Sequence, residues 1–252
     1  CNAWSVGTAK LLAGLGAQAL GTSSGAFAQA LGRADGQVSR DEALAHAGEI
    51  VAATPLPVSG DLENGFGPDP DDVVETVKGA AEVGLAGCSI EDTTAPRSPA
   101  FARDHAIERV RAGIAAARAL PRDFVFVARA DGVLAGAYDL AEACARVSAY
   151  AEAGADCVFV PLPGDEAALK QVIAAASGTP VNVIAMGPLA ALGRAQLAAL
   201  GVARISLGTA LSNVAYRAMI DAATAMLQDG RFDSHPQIGA PKLAALMDPK
   251  TD

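Results

Sequence analysis

An alternation of apolar runs and Ala-rich segments constrains this chain more than any other feature. Runs rich in Val, Ile and Leu recur at 17–22, 56–60, 85–90, 124–128, 156–161, 180–185 and 202–207. Between them lie segments with helical spacing at 39–53, 70–83, 104–118, 137–153, 164–177 and 188–200. Apolar runs of this kind suit strands buried on both faces. Ser39 stands where an N-cap is wanted and Pro70 opens its segment, both helix-start signals. Gly16, Gly84, Gly154 and Gly201 follow helical segments and precede the next apolar run, as helix-ending glycines do. Seven strands alternating with helices, and an eighth strand ending near Asn2, predict an α/β chain folded as a (β/α)8 barrel. The 252 residues match one such barrel, so residues 1–252 are read as a single domain. A doubly wound open sheet is the competitor, but the Gly-rich turn after its first strand is missing. Residues 208–228 predict a long last helix and 235–247 a shorter one. These C-terminal helices, 208–252, exceed a bare barrel and are candidates for subunit contacts. The chain opens at Cys1, so a short preceding segment carrying part of a first strand is expected.

The formal net charge of -9 and the absence of a basic run exclude a nucleic-acid partner, which is held through Lys and Arg against phosphates. An anionic ligand must then be held locally, by a metal ion or a specific Arg, against the overall field. The cysteines Cys1, Cys88, Cys144 and Cys157 show no CxxC spacing and read as small core residues. No apolar stretch is long enough to span a bilayer and no signal peptide is visible, so no membrane partner and a cytoplasmic location are expected.

In a barrel the active site lies where the strands end. The runs here end in Thr22-Ser23-Ser24-Gly25, Asp61-Leu62-Glu63, Glu91-Asp92 and Arg129-Ala130-Asp131, and Asn182 lies inside another. Acids crowded at neighbouring strand ends make the hard-oxygen set that Mg²⁺ prefers. Asp61 and Glu63, two apart on an extended segment, are expected to face the same way. The bland alternatives are a solvated loop start for Asp61 and Glu63 and a helix cap for Glu91-Asp92. Arg129 has two readings, a bidentate clamp for a substrate carboxylate or a bridge among the acids.

These residues, with Asn2-Ala3-Trp4, Leu31-Gly32-Arg33-Ala34-Asp35-Gly36, Arg40-Asp41-Glu42, the stretch Pro57 to Gly67, Ile90-Glu91-Asp92, Ala153-Gly154-Ala155-Asp156 and Pro180-Val181-Asn182, resemble the isocitrate lyase/phosphoenolpyruvate mutase superfamily. The resemblance extends to about residue 215, and its D-x-[DE]-x-G-[YFW]-G element followed by I-E-D is specific. It implies that Asp61, Glu63 and Glu91 hold Mg²⁺, with Mn²⁺ able to replace it, partly through water, and that Asp35 contributes from its loop. It implies further that Ser23 and the amides of Ser24 and Gly25 grip a substrate carboxylate, that Arg129 binds the ligand from the opposite side, and that Asn182 belongs to the substrate site. The partner it implies is a small anionic 2-oxo or 2-hydroxy acid. The assembly it implies is a homodimer or a homotetramer with swapped C-terminal helices.

The departures narrow the reading. The K-[KR]-C-G-H loop of isocitrate and methylisocitrate lyases is replaced by 92–101, which has no Cys, and this argues against both activities. The Lys and Asn of the mutase's loop are missing too. Arg97 or Arg103 is placed to approach a substrate's distal group if the loop closes, and His105 is a candidate acid/base. The leading expectation is a Mg²⁺-dependent lyase that cleaves or decarboxylates its substrate through an enolate. A P–C bond enzyme of the phosphonopyruvate hydrolase or phosphoenolpyruvate phosphonomutase type is the alternative, and a non-catalytic 2-oxo-acid binder is the third reading. A Schiff-base aldolase is rejected because Lys10, Lys78, Lys170, Lys242 and Lys250 all fall on predicted helices or tails.

Overall fold

The computed structural model describes residues 1–94, 99–233 and 236–248. Its strands are β1 (Leu20–Gly21), β2 (Val58–Asp61), β3 (Gly87–Glu91), β4 (Val125–Arg129), β5 (Cys157–Phe159), β6 (Val181–Ile184) and β7 (Val202–Ser206). All pair in parallel and in sequence order. The seven strands form a nearly closed barrel. The eighth strand expected near Asn2 is a single parallel bridge from Asn2 to Gly21. Asn2 closes the ring with its side chain: Nδ2 donates to the Thr22 carbonyl at 2.7 Å, and Oδ1 accepts from the amides of Leu207 and Gly208 at 2.8 and 3.2 Å.

The helices are α1 (Val6–Gly14), α2 (Ser24–Ala30), α3 (Arg40–Ala52), α4 (Pro70–Glu82), α5 (Arg103–Arg118), α6 (Gly132–Ala135), α7 (Leu140–Glu152), α8 (Glu166–Ala175), α9 (Arg194–Ala199), α10 (Ala210–Asp229) and α11 (Ala240–Met247). Ser39 and Glu42 cap α3 reciprocally, and Asp139 and Asp165 cap α7 and α8, each satisfying amides a helix start leaves unpaired. Three segments differ from the sequence-based expectation. Residues 24–30 form α2 because the Ser23 hydroxyl accepts from the Ala26 amide and starts a helix there. The expected helix over 137–153 begins only at Leu140, and α6 is set off from it by Gly136 in a left-handed turn. The segment 188–200 splits into a 3₁₀ turn, Gly187–Ala191, and α9.

Strands and helices meet over a core that includes Ile50, Val73, Val77, Leu85, Phe126, Val147 and Tyr150. Gly113 lets α5 close onto β4, since a Cβ there would collide with the Phe126 ring. Beyond the barrel, α11 packs on α1 so tightly that a Cβ on Gly14 would strike the Leu246 carbonyl. The long α10 buries only Ser212 and Ala225 among its described side chains, and Val214, Met219, Ile220 and Leu227 stand exposed. No described helix is long and apolar enough to cross a membrane.

Candidate active site

The strand ends surround a cavity of about 240 Å³. Ser23, Ser24, Gly25, Asp35, Asp61, Glu91, Arg129 and Asn182 all line it. Glu63 does not. It is buried with φ at 47°, a left-handed backbone that breaks the extended alternation, so it opens on two recesses beside the cavity. Asp61 lines the cavity and also one of those recesses, which it shares with Glu63.

Asp61 is held from the first strand. Its amide donates to Thr22 Oγ1 at 2.8 Å, and its Oδ2 accepts from the Ser24 amide and hydroxyl, both at 3.1 Å. Ser89 donates to the other carboxylate oxygen at 3.4 Å. Glu91 follows from β3, its amide bonded to the Glu63 carbonyl at 2.8 Å. Arg129 lies among the acids: Nη1 meets Asp61 at 2.6 Å and Glu91 at 2.9 Å, and Nε and Nη2 hold Asp131 in a fork at 3.0 Å each. Its guanidinium stands 5.1 Å from the Phe159 ring centroid, a cation–π contact. Arg129 thus takes the bridging arrangement. Asp35 approaches Gly25 closely, with Oδ2 3.4 Å from where a Cβ would sit. Ser23 spends its hydroxyl oxygen on the α2 cap.

Arg129 does not offset the burial and mutual repulsion of these carboxylates. Burial, reinforced by Asp35 and Asp61 against the pull of Arg129, pushes Glu63 up to about 7. Burial also lifts Glu91 well above the carboxylate range, Asp131, Asp61 and Asp35 adding to it and Arg129 opposing. Asp131 rises to about 6 for the same leading reason, burial. Carboxylates held this way in and beside a cleft make it the candidate functional site.

The other polar residues of the expected gate stand elsewhere. His105 places Nε2 2.8 Å from the Pro68 carbonyl, and Arg103 pairs with Glu142; neither lines the cavity. Arg97 lies outside the described residues. Two cavity residues escaped the sequence reading. Asp131 was visible at a strand end and given no role. Arg204, in the middle of the run 202–207, passed as part of an apolar strand, although a cation inside a buried strand is itself a signal.

A family model described as phosphoenolpyruvate phosphomutase matches residues 1–227. The chain belongs to this family. It is an enzyme of the isocitrate lyase/phosphoenolpyruvate mutase superfamily, and its relatives include lyases and mutases. It is 33% identical over 232 residues to 2,3-dimethylmalate lyase of Eubacterium barkeri, covering 88% of this chain and 78% of the relative. A solved Burkholderia cenocepacia J2315 chain, whose name leaves lyase and mutase open, superposes with a TM-score of 0.90 at 44% identity, over 96% of this chain and 87% of the other. A solved 2,3-dimethylmalate lyase gives a TM-score of 0.84 at 26% identity, over 97% and 87% of the two chains.

Proposed function

We propose that this family member is a divalent-cation-dependent lyase that breaks a carbon–carbon bond in a small 2-oxo or 2-hydroxy dicarboxylate through an enolate. The observation that carries this reading is the surplus of carboxylates over cations among the described residues at one cavity. Asp61, Glu91 and Asp131 face it together with Arg129 and Arg204, and Glu63 adds its charge from beside it. Like charges crowded this way hold protons or call for a cation. Among the described residues no three acidic, His or Cys side chains stand in ready ligating geometry, because Asp61 and Glu91 are turned to Arg129. The donor set nonetheless fits Mg²⁺ or Mn²⁺ in kind, being all hard oxygen. Asp61 and Glu91 would hold the ion, with Glu63 and Asp35 reached through water. The ion supplies Lewis-acid stabilisation of developing oxyanion charge.

The remaining work falls to the chain's own groups. Were Asp61 and Glu91 to hold the ion, Arg129 Nη1 would be left to donate to a substrate carboxylate, and Asp131 keeps the guanidinium oriented through its fork. The Gly25 amide at the start of α2 adds a donor for the same group, next to the Ser24 amide that Asp61 holds in this structure. For a 2-oxo acid, breaking the bond to C3 leaves the electron pair as an enolate. For a 2-hydroxy acid, loss of the hydroxyl proton makes C2 a carbonyl as the C2–C3 bond breaks, and C3 takes a proton. The 2,3-dimethylmalate lyase relative favours substituted malates as the substrate class. The exposed apolar side chains of α10 support self-association through the C-terminal helices.

The family match itself favours a second reading, P–C bond chemistry on phosphonopyruvate. One assay separates the two. The protein with MgCl₂ is given C4–C6 2-oxo and 2-hydroxy dicarboxylates and, separately, phosphonopyruvate, and 2-oxo acid and phosphate are quantified. The lyase reading expects 2-oxo acid release from a dicarboxylate, lost in Asp61→Ala. Phosphate or phosphoenolpyruvate formed from phosphonopyruvate, with every dicarboxylate intact, would replace it by the second.

A further inference from the structure

The two arginines of the cavity are in opposite circumstances. Arg129 is saturated by Asp61, Glu91 and Asp131. Arg204 lines the same cavity from β7 and makes neither a hydrogen bond nor an ion pair among the described residues. A guanidinium withdrawn from bulk water without a partner is costly, and burial lowers its proton affinity. Beside it is a second unmet group. β6 pairs Asn182 with Arg204, and Asn182 is 2% exposed, its Nδ2 donating to Ser206 Oγ at 3.0 Å while its Oδ1 is buried without a partner.

The chain departs from regular geometry to present this pair. A register shift on β6 and β7 matches Val181 to Val202 but Asn182 to Arg204, leaving Ala203 as the extra residue of a bulge. Val202 and Ile205 both pack outward against the cluster of Leu169, Val183, Leu189 and Leu197, three residues apart, which an unbroken strand cannot do. The bulge thereby turns Arg204 and Ser206 to the cavity. On the other side of the seam that Asn2 closes, Gly21 makes room: its missing Cβ would stand 3.6 Å from Arg204 Nη2.

We propose that Arg204, supported by Asn182, is the specificity-determining anion holder of this cavity. It takes the substrate carboxylate farther from the acid cluster and so selects dicarboxylates over monocarboxylates. This rests on reading the cavity as a 2-oxo or 2-hydroxy acid site. Arg suits the task because its planar fork matches a carboxylate in two parallel hydrogen bonds.

Malate and lactate test it, because both are 2-hydroxy acids and differ at the distal carboxylate. Their affinities are measured with MgCl₂ by calorimetry on the whole chain, with oxalate as a probe of the acid cluster alone. Wild type is expected to bind malate at least about tenfold more tightly than lactate, a difference of about 1.4 kcal/mol. Arg204→Met is expected to erase that preference by weakening malate, with lactate and oxalate unchanged within about twofold, the resolution that 1.4 kcal/mol per decade allows. Arg204→Lys, a point charge without the fork, should restore part of the preference, which a purely structural role would not do; it also serves as the reading variant should Arg204→Met fail to fold. Equal weakening of malate and lactate, or no change in their ratio in either variant, would overturn the inference while intact oxalate binding leaves the acid-cluster reading standing. Failure of wild type to bind oxalate, malate or lactate with MgCl₂ would remove both.

Discussion

Glu91 and Asp92 are neighbours at the end of β3, Asp92 buried and Glu91 nearly so, and their surroundings could hardly differ more. Asp92 points away from the cavity into a complete set of donors: the Asp131 amide at 2.8 Å, Tyr138 Oη at 2.8 Å, Tyr150 Oη at 2.9 Å and Arg146 Nη1 at 3.0 Å. Arg146 carries the network on to the Phe101 carbonyl and to Glu142, which also takes Arg103. Glu91 points inward and shares one Arg129 nitrogen with Asp61, with only a 3.5 Å contact from Thr93 besides. A strand's alternation sends adjacent acids to opposite faces, and the contrast teaches what each face is for. A fully satisfied polar network fixes structure. An acid cluster short of cations is a local inconsistency of the kind proteins keep at functional sites.

The comparison predicts separable losses. Asp92→Ala leaves Arg146 with Glu142 alone and takes the acceptor from the Asp131 amide and the Tyr138 and Tyr150 hydroxyls, and is expected to cost about 3–5 kcal/mol of stability, read from denaturant midpoints. A cost below about 1 kcal/mol, the range of an exposed pair, would show the network to be ornamental. Asp61→Ala and Glu91→Gln are expected to do the reverse: turnover falls by about a hundredfold or more, the loss metal-site partners produce, while the melting temperature holds or rises as like charge is relieved. Equal destabilisation by both classes of variant would erase the distinction between the two faces.

His46 sharpens it from a third position. It is buried with Nε2 unpartnered and stacks on Phe27 at 3.7 Å between ring centroids. Burial lowers its pKa below the usual 6.5, opposed by the Trp4 backbone and Glu49. The unfolded chain then binds the proton more readily, so His46 destabilises the fold as pH falls below 6.5 and ceases to do so above it. His46→Phe should flatten that part of the stability profile between pH 7 and 5, and an unchanged slope would show that His46 takes no part in it. The smallest effect belongs to Arg103→Ala, whose pair with Glu142 is screened by solvent on the Arg103 side: the denaturant midpoint should barely move.

Much of this was legible in the residues. Buried parallel strands leave long apolar runs and their helices leave caps and closing glycines, so the barrel and its strand ends could be read directly. Where reading failed, tertiary geometry decided. Asn2 closes the ring by a side chain rather than a strand. Glu63 sits in a recess beside the cavity on a left-handed backbone, which no spacing rule shows for a non-glycine residue. Arg204 turns inward through a bulge created by pairing register, and register is invisible in one strand alone. The direction taken by Asp92 was missed because its partners Tyr138, Arg146 and Tyr150 come from the later segment reaching into α7.

The central claim is that the acid cluster serves a divalent cation and an enolate-like ligand. Oxalate mimics the enolate of pyruvate, so its effect on the melting temperature with and without MgCl₂, in wild type and Asp61→Ala, tests that claim most directly. A ligand bound only by the folded chain adds about 2.7 kcal/mol at a hundredfold excess over its Kd. The account predicts a rise that needs MgCl₂ and oxalate together and vanishes in Asp61→Ala. No rise at saturating concentrations, or the same rise in the variant, would contradict it.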